Sequence, residues 1–260
     1  MEHEPATHKP RRRGIYLLPN LFTTAGLFAG FYGIVAAING QYTVAAMAVF
    51  IAMVMDGIDG RVARLTNTQS EFGVQYDSLT DMVCFGLAPA LIMYQWALRD
   101  LAAFGWFWAK LGWLTAFVYA AAGALRLARF NAQVGMADKR YFQGLPSPSA
   151  AAVVVGLVWV GAALEVDGAN FAWVGMVLTL MAGLLMVSNF RYYSFKELDF
   201  RNRVPFVVLL LAVLVLVFTA LDTPKMLFLG FLTYALSGPV ITLWRLRQHR
   251  RAKQDTPSQE

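Results

Sequence analysis

The sequence predicts an all-α protein that crosses a membrane several times. Hydrophobic residues make up 58% of the 260 residues, and the mean hydropathy is +0.50. A soluble domain has a smaller apolar share, about 45–50%. The apolar residues are gathered in long stretches, and most Lys and Arg residues lie between these stretches. Together these observations favour a polytopic transmembrane helix bundle.

The apolar stretches approach the roughly 20 residues that a helix needs to cross about 30 Å of hydrocarbon. They cover residues 15–38, 42–63, 73–97, 104–128, 148–165, 170–190, 204–221 and 225–245. We therefore expect about eight spans. They would form a single integral-membrane domain, residues 1–260, with short basic tails at residues 1–14 and 246–260.

The basic residues predict the orientation of the bundle. Of the 22 Lys and Arg residues, all except Arg99, Lys110 and Lys225 lie in or beside the two tails and the loops that eight spans would place on the same side. Because basic loops tend to remain in the cytoplasm, we expect both termini and these loops to be cytoplasmic.

Charge and cysteine content exclude other classes of protein. The net charge is +6. The basic residues are divided among loops, and no soluble recognition module is visible, so nucleic-acid binding is not expected. Cys84 is the only cysteine in the sequence, which excludes an intrachain disulfide and any metal motif with two cysteines.

Four aspartates at helical spacing form the candidate site. Asp56 and Asp59 lie near the end of the second span, and Asp77 and Asp81 lie near the start of the third. Each pair shares one face of its helix because its members are three or four residues apart. The polar stretch 65–71 predicts a short turn between the two helices, so the helices are antiparallel neighbours and the carboxylates can converge.

Carboxylates in or near lipid are costly unless they have partners. One alternative is a set of buried ion pairs with Arg61 and Arg64, but two arginines cannot neutralise four acids. The remaining negative charge calls for cations, and an all-oxygen site favours Mg²⁺ or Mn²⁺. Zinc is disfavoured because no His or Cys joins the cluster.

The residues around the aspartates form a longer motif. From Asp56 to Asp81 the chain reads D-x-x-D-G-x-x-A-R-x(8)-G-x-x-x-D-x-x-x-D. This motif resembles the signature of the CDP-alcohol phosphatidyltransferases, integral-membrane enzymes that exchange the CMP of a CDP-linked lipid for an alcohol. Every fixed position of the signature is filled. The resemblance implies that Gly60, Arg64 and Gly73 admit and orient the nucleotide.

Two further polar residues have both a structural and a functional interpretation. Ser70 is suited to capping the third helix, and the resemblance also implies contact with the nucleotide or a lipid phosphate. Asn20 follows Pro19 near the start of the first span, where it could belong to the helix cap. The resemblance implies that Asn20 approaches the cytidine nucleotide.

Three segments extend the resemblance toward the phosphatidylserine synthase branch of the family. They are A-R-F-N at 128–131, G-L-P-S-P at 144–148 and S-N-F-R-Y-Y-S-F-K at 188–196. Candidate ligands of a serine carboxylate or a phosphate lie in or beside them, namely Arg126, Arg129, Asn131, Arg191 and Lys196. Membrane anchoring and an aromatic belt are the structural alternatives for these residues.

The resemblance implies a metal-dependent transfer of the phosphatidyl group of CDP-diacylglycerol to L-serine, with release of CMP. It implies that Asp56, Asp59, Asp77 and Asp81 bind Mg²⁺ or Mn²⁺ and that Asp81 is the catalytic base. We expect a bacterial or archaeal type of cytoplasmic membrane, with the active site facing the cytosol. A homodimer is also implied, although the G-x-x-x-G motif at 26–30 could serve packing within the chain or a dimer equally well.

Other functions remain open from the sequence. The acceptor could be glycerol phosphate, inositol phosphate or choline instead of serine. A membrane prenyltransferase would also use aspartate-bound Mg²⁺, but the pattern of Gly60, Arg64 and Gly73 argues against it. An aspartate-lined ion transporter is a non-enzymatic alternative. Its acids would lie near the middle of the membrane, whereas these lie at the ends of spans.

Overall fold

The structure, a computed structural model, describes residues 17–66, 70–132, 141–193 and 220–254. Most of the described chain is helical, which confirms the predicted all-α fold. The tail 1–14, Lys196, nearly all of the predicted span 204–221 and residues 255–260 lie outside the described residues.

The α-helices of the described chain are α1 (Leu17–Ile38), α2 (Tyr42–Leu65), α3 (Glu71–Asp81), α4 (Ala88–Trp96), α5 (Trp106–Ala132), α6 (Ser147–Ala163), α7 (Ala172–Val187) and α8 (Thr223–Gln254). A π-helix, Met82–Leu87, joins α3 to α4, and 3₁₀-helices lie at Leu98–Phe104 and Gly168–Phe171. The aspartate pairs therefore lie on α2 and α3, as the motif spacing predicts.

Within the described residues, five helical stretches are long and apolar enough to cross a membrane. They are Pro19–Ile38, Tyr42–Leu65, Trp106–Ala132, Gly168–Val187 and Thr223–Thr242. The stretch Glu71–Trp96 and the 3₁₀-helix after it, bent by 40°, would add a sixth. α6 is apolar but only 17 residues long. The protein is thus an integral membrane protein, while the number of eight spans and the orientation of the termini stay predictions.

Two short strands, which the sequence analysis does not predict, pair with each other. β1 (Tyr141–Gln143) is antiparallel to β2 (Arg191–Tyr193). The backbone of Arg191, a predicted anion ligand, lies opposite Gln143 in this pairing. Gly144 follows β1 with a φ of +78°, a conformation that favours glycine. The chain therefore turns sharply between the strand pair and the start of α6.

The glycines of the G-x-x-x-G motif in α1 face other helices of the same chain. A Cβ at Gly26 would lie 3.5 Å from the Cβ of Met55 in α2, and a Cβ at Gly30 would lie 2.5 Å from the Sγ of Cys84 in the π-helix. The Cys84 thiol donates a hydrogen bond of 3.3 Å to the carbonyl oxygen of Gly26. Small residues permit this close helix approach, so the motif serves packing within the chain.

Candidate active site

One cavity of about 570 Å³ opens where α1, α2, α3, α5 and the start of α6 meet. It brings together residues that the sequence analysis predicts from separate parts of the chain. These are Asn20, Asp56, Asp59, Gly60, Arg64, Ser70, Gly73, Asp77, Asp81 and Arg126. Residues without a predicted role complete the lining, and they are Pro19, Thr23, Gly57, Ala63, Val74, Leu127, Phe130, Pro146 and Pro148.

Three of the aspartates lie close enough together to share a metal ion. One carboxylate oxygen from each of Asp56, Asp59 and Asp77 lies within 4.8 Å of the other two. Asp59 is only 5% exposed, whereas Asp56 and Asp77 are half-buried. Asp81 follows Asp77 by one turn of α3 and lines the same cavity. Oxygen donors that converge from two helices fit a hard divalent cation.

Arg61 and Arg64, the arginines that could pair with these acids, have other surroundings in the described structure. The Nε of Arg64 donates a hydrogen bond of 2.8 Å to the carbonyl oxygen of Gly60, in its own helix. Arg61 is exposed. The ion pairs formed among the described residues lie elsewhere in the molecule. Among the described residues, ion pairs with Arg61 and Arg64 therefore do not explain the aspartate cluster.

Thr23 is a site residue that no motif in the sequence indicates. Its hydroxyl donates a hydrogen bond of 2.8 Å to Oδ2 of Asp59 and also lies 3.1 Å from the carbonyl oxygen of Pro19. Thr23 is 5% exposed, so this contact joins α1 to α2 inside the bundle. Its place one turn after Asn20 on an apolar helix is the only sequence signal that could have identified it.

The start of α3 is capped as predicted. The Ser70 hydroxyl accepts a hydrogen bond of 3.0 Å from the backbone N–H of Gly73. A Cβ at Gly73 would lie 3.2 Å from the Ser70 Oγ and 3.5 Å from the Asn20 Oδ1. A Cβ at Gly60 would instead meet nothing within 4 Å. Gly73 thus permits tight packing around the cap, whereas Gly60 leaves space open beside the cavity.

Arg126 brings a positive charge from α5 into the cavity lining. It interacts favourably with the charge of Asp81. Its Nη1 donates a hydrogen bond to the Oγ of Ser147, at the start of α6. Its Nε is buried and has no hydrogen-bond partner among the described residues. The guanidinium group is therefore anchored at one nitrogen and keeps donor capacity at another.

Two neighbouring candidates have other partners. The Nη1 of Arg129 donates a hydrogen bond of 3.4 Å to the Asn189 side chain. The Nδ2 of Asn131 donates one of 3.1 Å to the Ser78 hydroxyl. Neither residue belongs to the cavity lining as the structure describes it. Of the predicted anion ligands whose side chains are described, Arg126 alone reaches the aspartates.

Comparison with known proteins agrees with this geometry. The sequence model of the CDP-alcohol phosphatidyltransferase family matches residues 16–185. The chain is 37% identical over 203 residues to the CDP-diacylglycerol–serine O-phosphatidyltransferase of Helicobacter pylori (strain ATCC 700392 / 26695), covering 78% of this chain and 83% of that protein.

Other organisms contain similar proteins of the same name. The Mycobacterium tuberculosis (strain ATCC 25618 / H37Rv) protein is 38% identical over 159 residues, which are 58% of this chain and 52% of that one. The Saccharomyces cerevisiae (strain ATCC 204508 / S288c) protein is 36% identical over 152 residues, which are 51% of this chain and 50% of that one.

The match to the family covers the structural parts that form the cavity. Residues 16–185 include α1, α2, α3, α5 and the start of α6, and therefore all of the aspartates and Arg126. The chain belongs to the CDP-alcohol phosphatidyltransferase family.

Proposed function

We propose that this chain transfers the phosphatidyl group of CDP-diacylglycerol to the hydroxyl of L-serine and so forms phosphatidylserine and CMP. The names of the relatives from three organisms support serine as the acceptor. The observation that carries the proposal is the convergence of four aspartates from two helices on one cavity, with Arg126 in the same lining.

Asp56, Asp59 and Asp77 would bind the metal, with Asp81 at the edge of the same cluster. The proposed metal is Mg²⁺ or Mn²⁺, because all the donors are oxygens. When bound, such a cation neutralises charge on the diphosphate and on the departing CMP. Thr23 would hold the Asp59 carboxylate in one orientation, as the outer partners of metal ligands commonly do.

Asp81 would act as the general base. Its carboxylate takes the proton of the serine hydroxyl while the serine oxygen attacks the phosphorus that carries the diacylglycerol. A bond forms between the serine oxygen and this phosphorus, and the bond from the phosphorus to the CMP oxygen breaks. The electron pair of that bond leaves with CMP, and the proton stays on Asp81 until solvent removes it.

The nucleotide would lie beside the residues around the start of α3. Gly60 leaves open space there, since a Cβ at this position would meet no other atom within 4 Å. Asn20, Arg64, Ser70 and Gly73 line the same cavity and offer polar groups to a ribose, a base or a phosphate. Arg129, Asn131, Arg191 and Lys196 stay predicted anion ligands.

The cavity would face the cytosol, because the positive-inside rule assigns the basic loops to that side. L-serine and the metal ion would enter from water, while the acyl chains of CDP-diacylglycerol stay in the leaflet. We propose a homodimer as the active form, on the basis of the family resemblance.

The proposal is tested by incubating the purified protein with CDP-diacylglycerol, Mn²⁺ and labelled L-serine, and by identifying the lipid and the nucleotide formed. Parallel reactions contain labelled glycerol phosphate, inositol phosphate or choline. We expect labelled phosphatidylserine and one CMP for each lipid formed. Transfer to another acceptor in preference to L-serine would replace the proposed acceptor, and release of pyrophosphate instead of CMP would overturn the reaction.

A further inference from the structure

The environment of Arg126 shows which nitrogens of its guanidinium group have a hydrogen-bond partner among the described residues. Nη1 is used in the hydrogen bond to Ser147. Nε is buried without a partner among the described residues. In a guanidinium group, Nε and Nη2 lie on one edge and point in the same direction, whereas Nη1 points away. A carboxylate can accept two parallel hydrogen bonds from such an edge.

Ser147 lies behind Arg126 and does not line the cavity itself. It is 1% exposed, whereas Pro146 and Pro148 on either side of it both contribute to the lining. A hydroxyl in this place contacts the arginine and not a ligand in the cavity. It can therefore affect a ligand only through the orientation of Arg126.

The backbone that carries Ser147 is fixed by contacts with the end of α7. The N–H of Gly144 donates a hydrogen bond of 2.9 Å to the carbonyl oxygen of Phe190, and the N–H of Leu145 donates one of 2.9 Å to that of Leu185. Ser147 then begins α6. These contacts, together with the pairing of β1 and β2, hold the hydroxyl at a defined distance from α5.

The negative groups of the cavity determine what Arg126 can bind. Four aspartates line the same space, so an anion bound there needs a local positive charge. Arg64 and Arg126 are the basic residues of the described lining, and the Nε of Arg64 is already bonded to the carbonyl of Gly60. Within the described part of the chain the Nε of Arg126 has no partner, so this donor can serve an anionic group.

We propose that Ser147 is a positioning residue that holds Arg126 with its Nε edge toward the cavity, where this edge binds the carboxylate of the acceptor. The inference rests on the proposed transfer to L-serine and adds the basis of its specificity. Alcohols that have the same hydroxyl and amino groups but no carboxylate would not form these hydrogen bonds, so the Nε edge would not increase their affinity. The pair of Ser147 and Arg126 therefore selects amino-acid acceptors.

The test compares Ser147→Ala with wild type as full-length protein in mixed micelles that contain CDP-diacylglycerol. Two acceptors are used, L-serine and serinol, which replaces the carboxylate of serine with a hydroxymethyl group. Loss of a hydrogen bond to a charged group predicts that the KM for L-serine rises by about tenfold. The kcat, the KM for CDP-diacylglycerol and the kcat/KM for serinol should change by less than about twofold, because Ser147 acts only on the group that binds the carboxylate of the acceptor.

Four further variants separate positioning from general damage to the fold. Ser149→Ala removes a neighbouring buried hydroxyl of α6 and should leave both acceptors unaffected. Ser147→Thr keeps the hydroxyl and should recover most of the affinity for L-serine. Arg126→Lys keeps the charge without the paired donors, so it should raise the KM for L-serine, and adding Ser147→Ala to it should have little further effect.

The outcomes distinguish this inference from the proposed function. If wild-type protein makes phosphatidylserine but folded Ser147→Ala and Ser147→Thr both have the wild-type KM for L-serine, the positioning role is overturned and the function stands. If Ser147→Ala lowers the kcat/KM for L-serine and for serinol equally, the positioning role is also overturned, because a structural defect would affect both acceptors. If wild-type protein makes no lipid from L-serine, the proposed function itself fails.

Discussion

The Thr23 hydroxyl lies 2.8 Å from Oδ2 of Asp59 and joins the first helix to the carboxylate cluster of the second. Both side chains are 5% exposed, so water does not readily replace the contact. A carboxylate held in this way presents its other oxygen in a defined direction. The contact therefore links helix packing to the geometry of the candidate metal site.

Replacing Thr23 with valine should weaken metal binding without unfolding the protein. Valine has nearly the same shape but no hydroxyl, so Asp59 loses its fixed orientation. Loss of such an outer partner typically lowers metal affinity or activity by about 10- to 100-fold. The measurement is the Mn²⁺ concentration that gives half-maximal activity. Thr233→Val, which removes a hydroxyl bonded to the backbone of its own helix, is the control, and an equal effect there would contradict the assignment.

Asp81→Asn should abolish most of the turnover while the protein stays folded. Asparagine cannot accept the proton of the attacking hydroxyl, and loss of general-base catalysis lowers rates by about 10²-fold or more. The kcat with L-serine is compared with nucleotide binding, which should persist in part. Asp100→Asn, which removes a carboxylate 3.9 Å from the Nε of Arg99, serves as the control. Full activity of Asp81→Asn would exclude Asp81 as the base.

Chelation should stop the reaction reversibly. The oxygen cluster of Asp56, Asp59 and Asp77 has the donor chemistry for Mg²⁺ or Mn²⁺ and not for a softer metal. Activity is measured after treatment with EDTA and again after adding each cation in excess. Recovery with Mg²⁺ or Mn²⁺ is expected, whereas a fully active chelated enzyme would refute a metal-dependent reaction.

Gly60→Ala should separate function from stability. The added methyl group meets no atom within 4 Å, and alanine favours a helix over glycine by about 1 kcal/mol. The thermal midpoint should therefore remain the same or rise. The KM for CDP-diacylglycerol should increase, because the methyl group occupies space beside the nucleotide. An unchanged KM would show that the lipid does not approach Gly60.

Gly30→Ala should have the opposite effect and destabilise the bundle. Its Cβ would lie 2.5 Å from the Sγ and 3.1 Å from the Cα of Cys84, and overpacking of this kind typically costs about 1–3 kcal/mol. Thermal unfolding in detergent provides the measurement. Gly230→Ala in α8, where a Cβ meets nothing within 4 Å, is the matched control. If Gly30→Ala and Gly230→Ala have the same thermal midpoint, this result would contradict the close packing of α1 on the π-helix.

Local features of the site could be predicted from the sequence because they depend on spacing along one helix. Asp77 and Asp81 share a face of α3 by virtue of their separation by one turn. Ser70 caps the same helix through a hydrogen bond to Gly73, three residues away. The shared helix face and the helix cap each involve only a few consecutive residues. Both can therefore be predicted without knowledge of the remaining fold.

Contacts between distant segments could not be predicted in this way. Thr23 and Asp59 are 36 residues apart, and Arg126 and Ser147 are 21 residues apart. Membrane helices can be apolar around their whole circumference, so hydrophobic periodicity does not show which side of a helix meets which neighbour. The same difficulty prevented the pairing of β1 with β2 from being expected.

The chain's own sequence thus determined the helical class, the membrane location and the aspartate pairs, since each follows from composition or from helical spacing. Tertiary packing decided that Arg126 would reach the aspartates while Arg129 would turn to Asn189. The same packing places Gly26 and Gly30 against other helices of the same chain. The physical reason is that a side chain's partner depends on how whole helices are placed against one another, and small differences in that placement change which groups meet.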